Sequence, residues 1–203
     1  MSVARKYDIA SRFYDAAEGF IEHRFFSKFR KRLFEMIPPN GRILEVGIGT
    51  GKNLSFYPKG VELVGVDFSA GMLKRCQEKV KELGLKNVQL QQMDVERLSF
   101  PDEHFDAVVS TFVFCTVPDP IRGLKEVRRV LKNGGRAYFL EHMRSEKWYL
   151  NIVLGIMHVC TKTLLGTSML RKTRDNIEKA GFTILHEEHL LSDVVRLIVA
   201  ERR

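Results

Sequence analysis

A glycine-rich loop directly after an apolar segment is the feature that most constrains the fold. In the stretch ILEVGIGTGKN, three glycines at two-residue spacing follow a predicted strand and open a predicted helix: Gly47, Gly49 and Gly51. At such a place the backbone turns sharply and a ligand can approach closely. The spacing differs from the dinucleotide fingerprint G-x-G-x-x-G, because Lys52 stands where the third glycine would be. The loop predicts a nucleotide-type ligand at the end of the first strand.

Apolar segments that alternate with helical patterns follow the boundary Pro38-Pro39-Asn40-Gly41. Such alternation favours a parallel sheet with helices on both faces. Two segments near the end, joined by a short turn, predict an antiparallel hairpin. The expected fold is therefore α/β, a doubly wound, seven-stranded, mostly parallel sheet with an antiparallel C-terminal hairpin. The predicted strands are 42–46, 62–66, 88–93, 105–110, 136–141, 183–188 and 193–200.

Local signals mark the ends of the helices. Ser69 is a predicted N-cap, and Gly84 stands where a positive φ is needed after that helix. Asp119 followed by Pro120 predicts the start of another helix. We expect Asn133-Gly134-Gly135 to end that helix before the fifth strand, and Gly181 to give the same signal before the sixth.

The front segment, from Phe20 to Ile37, has the pattern of an amphipathic basic helix, with apolar residues at four-residue spacing. The net charge of +8 suits nucleic acid, an anionic membrane surface or an acidic substrate. No basic run with interleaved aromatics is present in the sequence, which disfavours nucleic acid. The basic residues of the segment are Arg24, Lys28, Arg30, Lys31 and Arg32.

The start of the chain and its cysteines predict a reducing, cytoplasmic environment. The first residues, MSVARKYDIASRF, are charged throughout and lack the apolar stretch of a secretory signal. Cys76, Cys115 and Cys160 are widely spaced and form no C-x-x-C pair, so we predict neither a disulfide framework nor a metal site. The segment from Trp148 to Leu170 is interrupted by polar residues such as Asn151 too early for a membrane span.

Three carboxylates stand at the ends of the first three predicted strands: Glu45, Asp67 and Asp94. A carboxylate two residues ahead of the first glycine would compete with a pyrophosphate, but it suits a ligand that carries an ammonium and a sulfonium. The charge of the site therefore favours S-adenosylmethionine over NAD. Asp67 comes twenty residues after Gly47, the spacing at which a carboxylate can accept both hydroxyls of a ribose.

The same residues also have purely structural interpretations. Glu45 can tie down the glycine loop. Asp94 can cap the following turn, or it can bind the exocyclic amine of adenine beside the backbone N–H of Val95. Three apolar residues can form the walls of an adenine pocket or belong to the core: Phe68, Met72 and Met93.

Four ordered segments resemble the successive motifs of class I S-adenosylmethionine-dependent methyltransferases, which have a Rossmann-like fold. They are ILEVGIGTGKN, VGVDFSAGML, LQQMDVERLSFPDEHFDAVVS and RRVLKNGGRAYFLEH. Within this family the chain is most similar to bacterial phospholipid N-methyltransferases and quinone C-methyltransferases. The stretches NLSFYPKG and TFVFCTVPDP also resemble methyltransferase-like thiol methyltransferases. The resemblance implies a single domain over 1–203, with a helical lid at 1–37, a cofactor-binding core at 38–142 and an acceptor roof and closing strands at 143–203.

The resemblance also implies a role for individual residues. Asp67 would hold the ribose, while Asp94 and Val95 would hold the adenine. Thr111 and Phe112 would line the floor near the transferable methyl group. The methionine half would lie against Glu45, Gly47, Gly49 and Gly51, under a lid that supplies Tyr7 and Tyr14.

A catalytic base is needed only where the methyl acceptor must lose a proton. The candidates are His142, at the end of the fifth strand, and Tyr14. For His142 a structural hydrogen-bonding role is an equal alternative, and for the two tyrosines the alternative is packing.

The acceptor that we expect is a small or lipid-like molecule, with a phospholipid amine or a quinone favoured. An apolar roof beside a basic front helix would suit peripheral contact with an anionic membrane, although a solvated basic face explains the same pattern. A thiol methyltransferase and a non-catalytic module that binds S-adenosylmethionine are the alternatives. A nicotinamide oxidoreductase is disfavoured by Lys52 and Glu45. The oligomeric state is left open by the sequence.

Overall fold

The computed structural model describes residues 26–165, 168 and 170–203, with side chains given outside 157–165. The proposed lid tyrosines, Tyr7 and Tyr14, lie outside the described residues, as does the 20–25 part of the front segment. The strands are β1 Asn40–Val46, β2 Gly60–Asp67, β3 Val88–Gln92, β4 Phe105–Thr111, β5 Leu131–His142, β6 Phe182–Leu191 and β7 Val195–Arg202. The helices are α1 Ser27–Phe34, α2 Ala70–Glu82, α3 Pro120–Val130, α4 Trp148–Leu165 and α5 Thr173–Lys179, with a 3-10 helix at Leu54–Phe56.

The seven strands form one sheet in the order β3-β2-β1-β4-β5-β7-β6. The first five strands run parallel to one another, whereas β7 pairs antiparallel with both β5 and β6. The predicted fold class and its closing hairpin are therefore confirmed. Strand order reverses between β1 and β4, and in open α/β sheets a ligand crevice lies at such a switch point, outside the carboxyl ends of the strands.

Alternate residues of β1 point to opposite faces of the sheet, and both faces are buried. Leu44 belongs to a core with Leu124 and Val127 of α3. Ile43 belongs to the other core, in which Leu33 of α1 and Val80 of α2 take part. This burial on both sides explains why two successive residues of the strand, Ile43 and Leu44, are both apolar.

Most of the predicted helix ends are confirmed. The Ser69 hydroxyl accepts the Met72 N–H over 3.1 Å at the start of α2, and Asp119 accepts the Arg122 N–H over 3.1 Å before Pro120 opens α3. Gly84 has a φ of 63°, the positive value expected after α2. Gly181 likewise has a φ of 93° before β6.

Three local predictions are wrong in detail. Asn133-Gly134-Gly135 does not end α3, because Leu131 already pairs with Phe105; the register shift between that pair and Ala107↔Arg136 accommodates the extra residues inside β5. The glycine loop leads into the short 3-10 helix and not into an α-helix; few residues separate it from β2, and Pro58 is among them. The front helix in its described part ends at Phe34, before Ile37.

Candidate functional site

The glycine loop lies at the switch point and packs against the segment that follows β4. Gly47, Gly49 and Gly51 all have positive φ, at 64°, 57° and 78°. A Cβ on Gly47 would overlap the Val113 side chain, with Val113 Cγ1 only 3.0 Å away. Among the described residues, a Cβ on Gly49 would in contrast find only the Gly47 carbonyl oxygen, at 4.0 Å. Within this part of the chain, space is therefore open above Gly49, where a ligand can approach the backbone.

Asp67 ends β2 beside this open space. Its carboxylate accepts the N–H of Gly49 and the N–H of Ser69, each over 2.9 Å. Each carboxylate oxygen accepts from more than one donor in ordinary geometry. The side chain is buried, and its position beside Gly49 fits the role of a ribose acceptor.

Glu45 at the end of β1 is buried in a hydrogen-bond network. It accepts from the Asn53 amide nitrogen over 2.6 Å and from the Tyr57 hydroxyl over 2.9 Å. Burial raises the pKa of Glu45 to about 7, against the lowering effect of these bonds and of the nearby Arg30 charge. The network ties the segment after the glycine loop to β1, as the structural interpretation of Glu45 expected, and it places a carboxyl group beneath the loop.

Arg30 is the main departure from the sequence-based prediction, which placed it on a basic outer face. Its side chain is only 5% exposed. Its Nη1 donates to the Asn53 amide oxygen over 2.6 Å and to the Thr111 hydroxyl over 2.8 Å, and the guanidinium lies 5.5 Å from the Phe112 ring centroid. Helical spacing could have indicated that Arg30 is buried, because Arg30 precedes the buried Leu33 by three residues and so lies on the same face of the helix.

Asn53 and Tyr57 were also not predicted as site residues. Asn53 contacts three candidate groups at once, since its amide also donates to the Thr111 hydroxyl over 3.0 Å. Both residues lie in the NLSFYPKG stretch. That stretch was recognised as a motif, but its contacts with Glu45 depend on how the chain folds back after the glycine loop.

The residues predicted for adenine lie at the end of β3. Asp94 is exposed, and its carboxylate accepts the Glu96 N–H over 2.9 Å, so that it does cap the following turn. Met93 donates its N–H to the Asp67 carbonyl over 3.0 Å, which brings the ends of β2 and β3 together. Met93 and Val95 are partly buried and pack on the core. Of the other two predicted wall residues, Met72 is buried and Phe68 is partly exposed.

Phe112 and His142 form an aromatic cluster with Phe26 after the ends of β4 and β5. The ring centroids of Phe112 and His142 are 4.6 Å apart, and Phe26 lies 5.0 Å from Phe112. Phe112 has a φ of 59°, which is strained for a bulky residue. Burial lowers the pKa of His142 to about 4, so the imidazole is neutral near pH 7. Its Nδ1 is buried and has no hydrogen-bond partner in the described part of the chain.

Glu141 holds the segment that carries Phe112, a role that the sequence did not reveal. Its Oε1 accepts from the Ser110 hydroxyl over 2.9 Å and from the N–H groups of Val113 and Phe114 over 3.0 and 3.2 Å. Burial raises the pKa of Glu141 to about 7. The carboxyl group therefore fixes the turn that packs against Gly47.

The structure thus brings Glu45, Asp67 and Thr111 to one edge of the sheet, with Asp94 at its outer side. Over the described residues we find no cluster of side chains that could hold a metal ion. In the same part of the chain, no helix is both long enough and apolar enough to cross a bilayer.

Comparison with known proteins agrees with this geometry. A family model described as a methyltransferase domain matches residues 44–139. The chain is 47% identical over 108 residues to a phosphatidylethanolamine N-methyltransferase of Cereibacter sphaeroides, covering 53% of either protein. It is 37% identical over 145 residues to a ubiquinone/menaquinone biosynthesis C-methyltransferase of Ectopseudomonas mendocina, covering 69% of this chain and 55% of that protein. The chain spans about half the length of these curated relatives.

A solved structure supports the fold. A SAM-dependent methyltransferase from Thermotoga maritima superposes with a TM-score of 0.72 at 22% identity, covering 96% of this chain and 99% of that one. The matched range 44–139 includes the glycine loop and Asp67 of this chain. Residues 44–139 therefore match a methyltransferase domain within a sheet of the same fold, in agreement with the four ordered motifs.

Proposed function

We propose that this protein binds S-adenosylmethionine in the crevice above Gly49 and transfers its methyl group to a lipid-like acceptor. The observation that carries the proposal is the space that the described residues leave open above Gly49, beside the Asp67 carboxylate and with buried Glu45 beneath the same loop. The methyltransferase-domain match over residues 44–139 supports it.

Different residues of the crevice bind different parts of the cofactor. Asp67 accepts the ribose hydroxyls, while Asp94 and the Val95 N–H face the adenine end. Glu45 and the glycine loop hold the methionine half. Thr111 and Phe112 form the floor on the side of β4. This assignment leaves residues 1–37, with Tyr7 and Tyr14, as a lid, and places the acceptor roof in 143–203.

Methyl transfer needs little help beyond positioning and exclusion of water. When bound, S-adenosylmethionine supplies an activated methyl group: the sulfur–carbon bond breaks as the acceptor–carbon bond forms, and the sulfonium becomes a thioether. His142 is neutral, with a buried and unpartnered Nδ1 among the described residues, so it is suited to accept a hydrogen bond or a proton from the acceptor. A pKa near 4 makes it a weak base, which favours the hydrogen-bonding role.

The first half of α4 presents the apolar surface expected of a protein that takes its acceptor from a membrane. Trp148 is 74% exposed and Ile156 is 69% exposed. A contiguous exposed patch of large apolar side chains usually marks an interaction site. We call the surface formed by Trp148, Tyr149, Ile152, Val153 and Ile156 the α4 patch; all five are exposed.

The α4 patch is held firmly and is flanked by positive charge. The Ser145 hydroxyl donates to Asp193 over 2.6 Å, and Asn151 donates to the Ser145 carbonyl over 2.9 Å, which fixes the start of the helix. Arg144 and Lys147 are exposed just before the patch. Cations beside exposed aromatic and aliphatic side chains suit an anionic lipid surface.

The front helix contributes less charge than its sequence predicted. Arg30 is buried, and Arg32 pairs with Glu188 over 3.1 Å. Lys28 and Lys31 are exposed. We therefore place the membrane contact on the α4 patch, with the front helix in a supporting role.

Calorimetric titration with S-adenosylmethionine and S-adenosylhomocysteine tests the cofactor, followed by incubation with phosphatidylethanolamine, a demethylated quinone and an alkyl thiol. We expect binding of both nucleosides and methylation of the phospholipid or the quinone. Methylation of the thiol alone would contradict the lipid-like acceptor. Binding without transfer to any acceptor would favour a non-catalytic module, and absence of binding would refute the proposal.

Trp148 is the only tryptophan in the sequence, so its fluorescence reports directly on the α4 patch. We expect a blue shift on vesicles that contain phosphatidylglycerol, weakened by salt and absent on purely zwitterionic vesicles. Ile152→Ser with Ile156→Ser should abolish sedimentation with the anionic vesicles. Leu83→Ser, which changes an exposed leucine directly after α2 and distant in sequence from the patch, serves as the control. An unshifted spectrum would exclude this docking surface.

A further inference from the structure

The buried guanidinium of Arg30 joins the two chain segments that flank the switch point. Its Nη1 reaches Asn53, which follows the glycine loop, and Thr111, which ends β4. A guanidinium is expensive to bury unless charged or polar groups surround it. Its place in α1 therefore makes the front helix part of the crevice, although the basic pattern of the helix predicted a basic outer face for Arg30.

Asn53 sets a positive and a negative group side by side. Its amide oxygen accepts from Arg30 over 2.6 Å, while its amide nitrogen donates to Glu45 over 2.6 Å. One side-chain amide thus orients a carboxyl group and a guanidinium at the edge of the same loop. The amino-acid end of the proposed cofactor carries the matching pair of charges, an ammonium and a carboxylate.

A guanidinium is the side chain best shaped for a carboxylate, because its planar fork of five N–H donors allows two parallel hydrogen bonds. The Phe112 ring, 5.5 Å from the Arg30 guanidinium carbon, adds an aromatic contact that limits where the group can turn. Asn53 and Thr111 hold its Nη1 through hydrogen bonds.

We propose that Arg30 binds the carboxylate of the methionine half, opposite Glu45 at its ammonium, and that α1 thereby belongs to the cofactor site. This inference rests on the proposed function, because it assigns one subsite within the same crevice. It predicts that the protein recognises the carboxylate itself and not only the nucleoside.

Three ligands test the subsite by calorimetry: S-adenosylmethionine, its decarboxylated form, and 5′-methylthioadenosine. The unmodified protein should bind S-adenosylmethionine more tightly than the decarboxylated form. Arg30→Gln should weaken S-adenosylmethionine by about 10- to 100-fold, the usual effect of losing hydrogen bonds between charged groups. The affinities for decarboxylated S-adenosylmethionine and 5′-methylthioadenosine should change much less.

Two controls separate recognition from folding. Arg32→Gln changes an exposed arginine on the same helix and should leave all three affinities unchanged. Arg30→Lys keeps the charge but loses the fork, so it should show an intermediate loss even if Arg30→Gln folds poorly.

An equal loss for all three ligands in the Arg30 variants would show that the residue acts only through the structure of the loop. Equal affinity of the unmodified protein for the first two ligands would also overturn the subsite, while their binding would still support the proposed function. Failure of every ligand to bind the unmodified protein would refute both proposals.

Discussion

The Asp67 carboxylate accepts the Gly49 N–H over 2.9 Å, so the end of β2 directly braces the glycine loop. The residue proposed to hold the ribose is therefore also a structural element of the loop. Replacing it affects both cofactor affinity and stability, and a control is needed to separate the two effects.

Asp67→Asn keeps one acceptor oxygen for the backbone but loses the charge and the second acceptor. We expect S-adenosylhomocysteine to bind more weakly by about 1 to 3 kcal/mol, measured by calorimetric titration. Asp106→Asn is the matched control, because Asp106 accepts the Arg42 N–H over 2.8 Å near the start of β4, at the opposite edge of the sheet. It should lower stability without changing the affinity. Equal affinity in Asp67→Asn and the unmodified protein would place the ribose elsewhere.

Gly47→Ala should destabilise the fold by about 2 to 5 kcal/mol in urea unfolding, because its φ of 64° and the overlap with Val113 both disfavour a side chain. Gly134→Ala measures the cost of the positive φ alone, since φ is 71° there and no atom of the described residues lies within 4 Å of the added Cβ. Adding Val113→Ala to Gly47→Ala should restore part of the loss. A Gly47→Ala protein no less stable than Gly134→Ala would argue against the tight packing between the two loops.

His142 makes folding dependent on pH in the acidic range. Its pKa falls to about 4 in the folded protein from an ordinary value of 6.5, so the unfolded chain binds a proton that the folded chain does not. Its contribution is fully present above pH 6.5 and decreases as the pH falls toward 4. His142→Phe should reduce the loss of unfolding free energy between pH 7.5 and 5 by about 2 kcal/mol.

The ring of His142 packs against Phe112 and Phe26, which is why phenylalanine is the replacement of choice. His189→Gln, on the outer strand β6, is the control. It should leave the change of unfolding free energy between pH 7.5 and 5 as it is in the unmodified protein. An unchanged slope in His142→Phe would mean that the imidazole is hydrated in the folded protein.

Glu141 changes stability with pH in the direction opposite to that of His142. Burial raises its pKa to about 7 from 4.5, so its protonated form favours the fold at low pH and stability falls as the pH rises from about 4.5 to 7. Glu141→Gln should reduce this fall in urea unfolding between pH 5 and 8. Glu45 has the same raised pKa, so part of the fall should remain. A slope identical to that of the unmodified protein would indicate that Glu141 is ionised throughout.

Glu141→Ala removes the hydrogen bonds together with the titrating group. The N–H groups of Val113 and Phe114 would lose their acceptor, which should destabilise the protein by about 1 to 3 kcal/mol at pH 5, and by less at pH 8, because the raised pKa of Glu141 makes it less stabilising there. Glu178→Ala, an exposed position on α5, should change stability little at either pH. An unchanged stability of Glu141→Ala at pH 5 would contradict this structural role.

The sequence alone determined the features that depend on neighbours within a few residues. Ser69 and Asp119 cap their helices, and Gly84 and Gly181 take positive φ, because these conformations are decided by short-range hydrogen bonds and sterics. Apolar periodicity likewise predicted all seven strands, and the carboxylates at the ends of parallel strands had to meet at one edge of the sheet.

Only the tertiary structure decided which distant groups meet inside that edge. Arg30 lies on a helix whose sequence predicts an amphipathic segment with a basic face, yet it is buried against Thr111, 81 residues away. Glu141 binds the Val113 N–H, 28 residues away, because β5 pairs beside β4. Local pattern cannot encode such contacts, since whether a charged side chain is buried depends on the polar partners that other strands and loops bring to it.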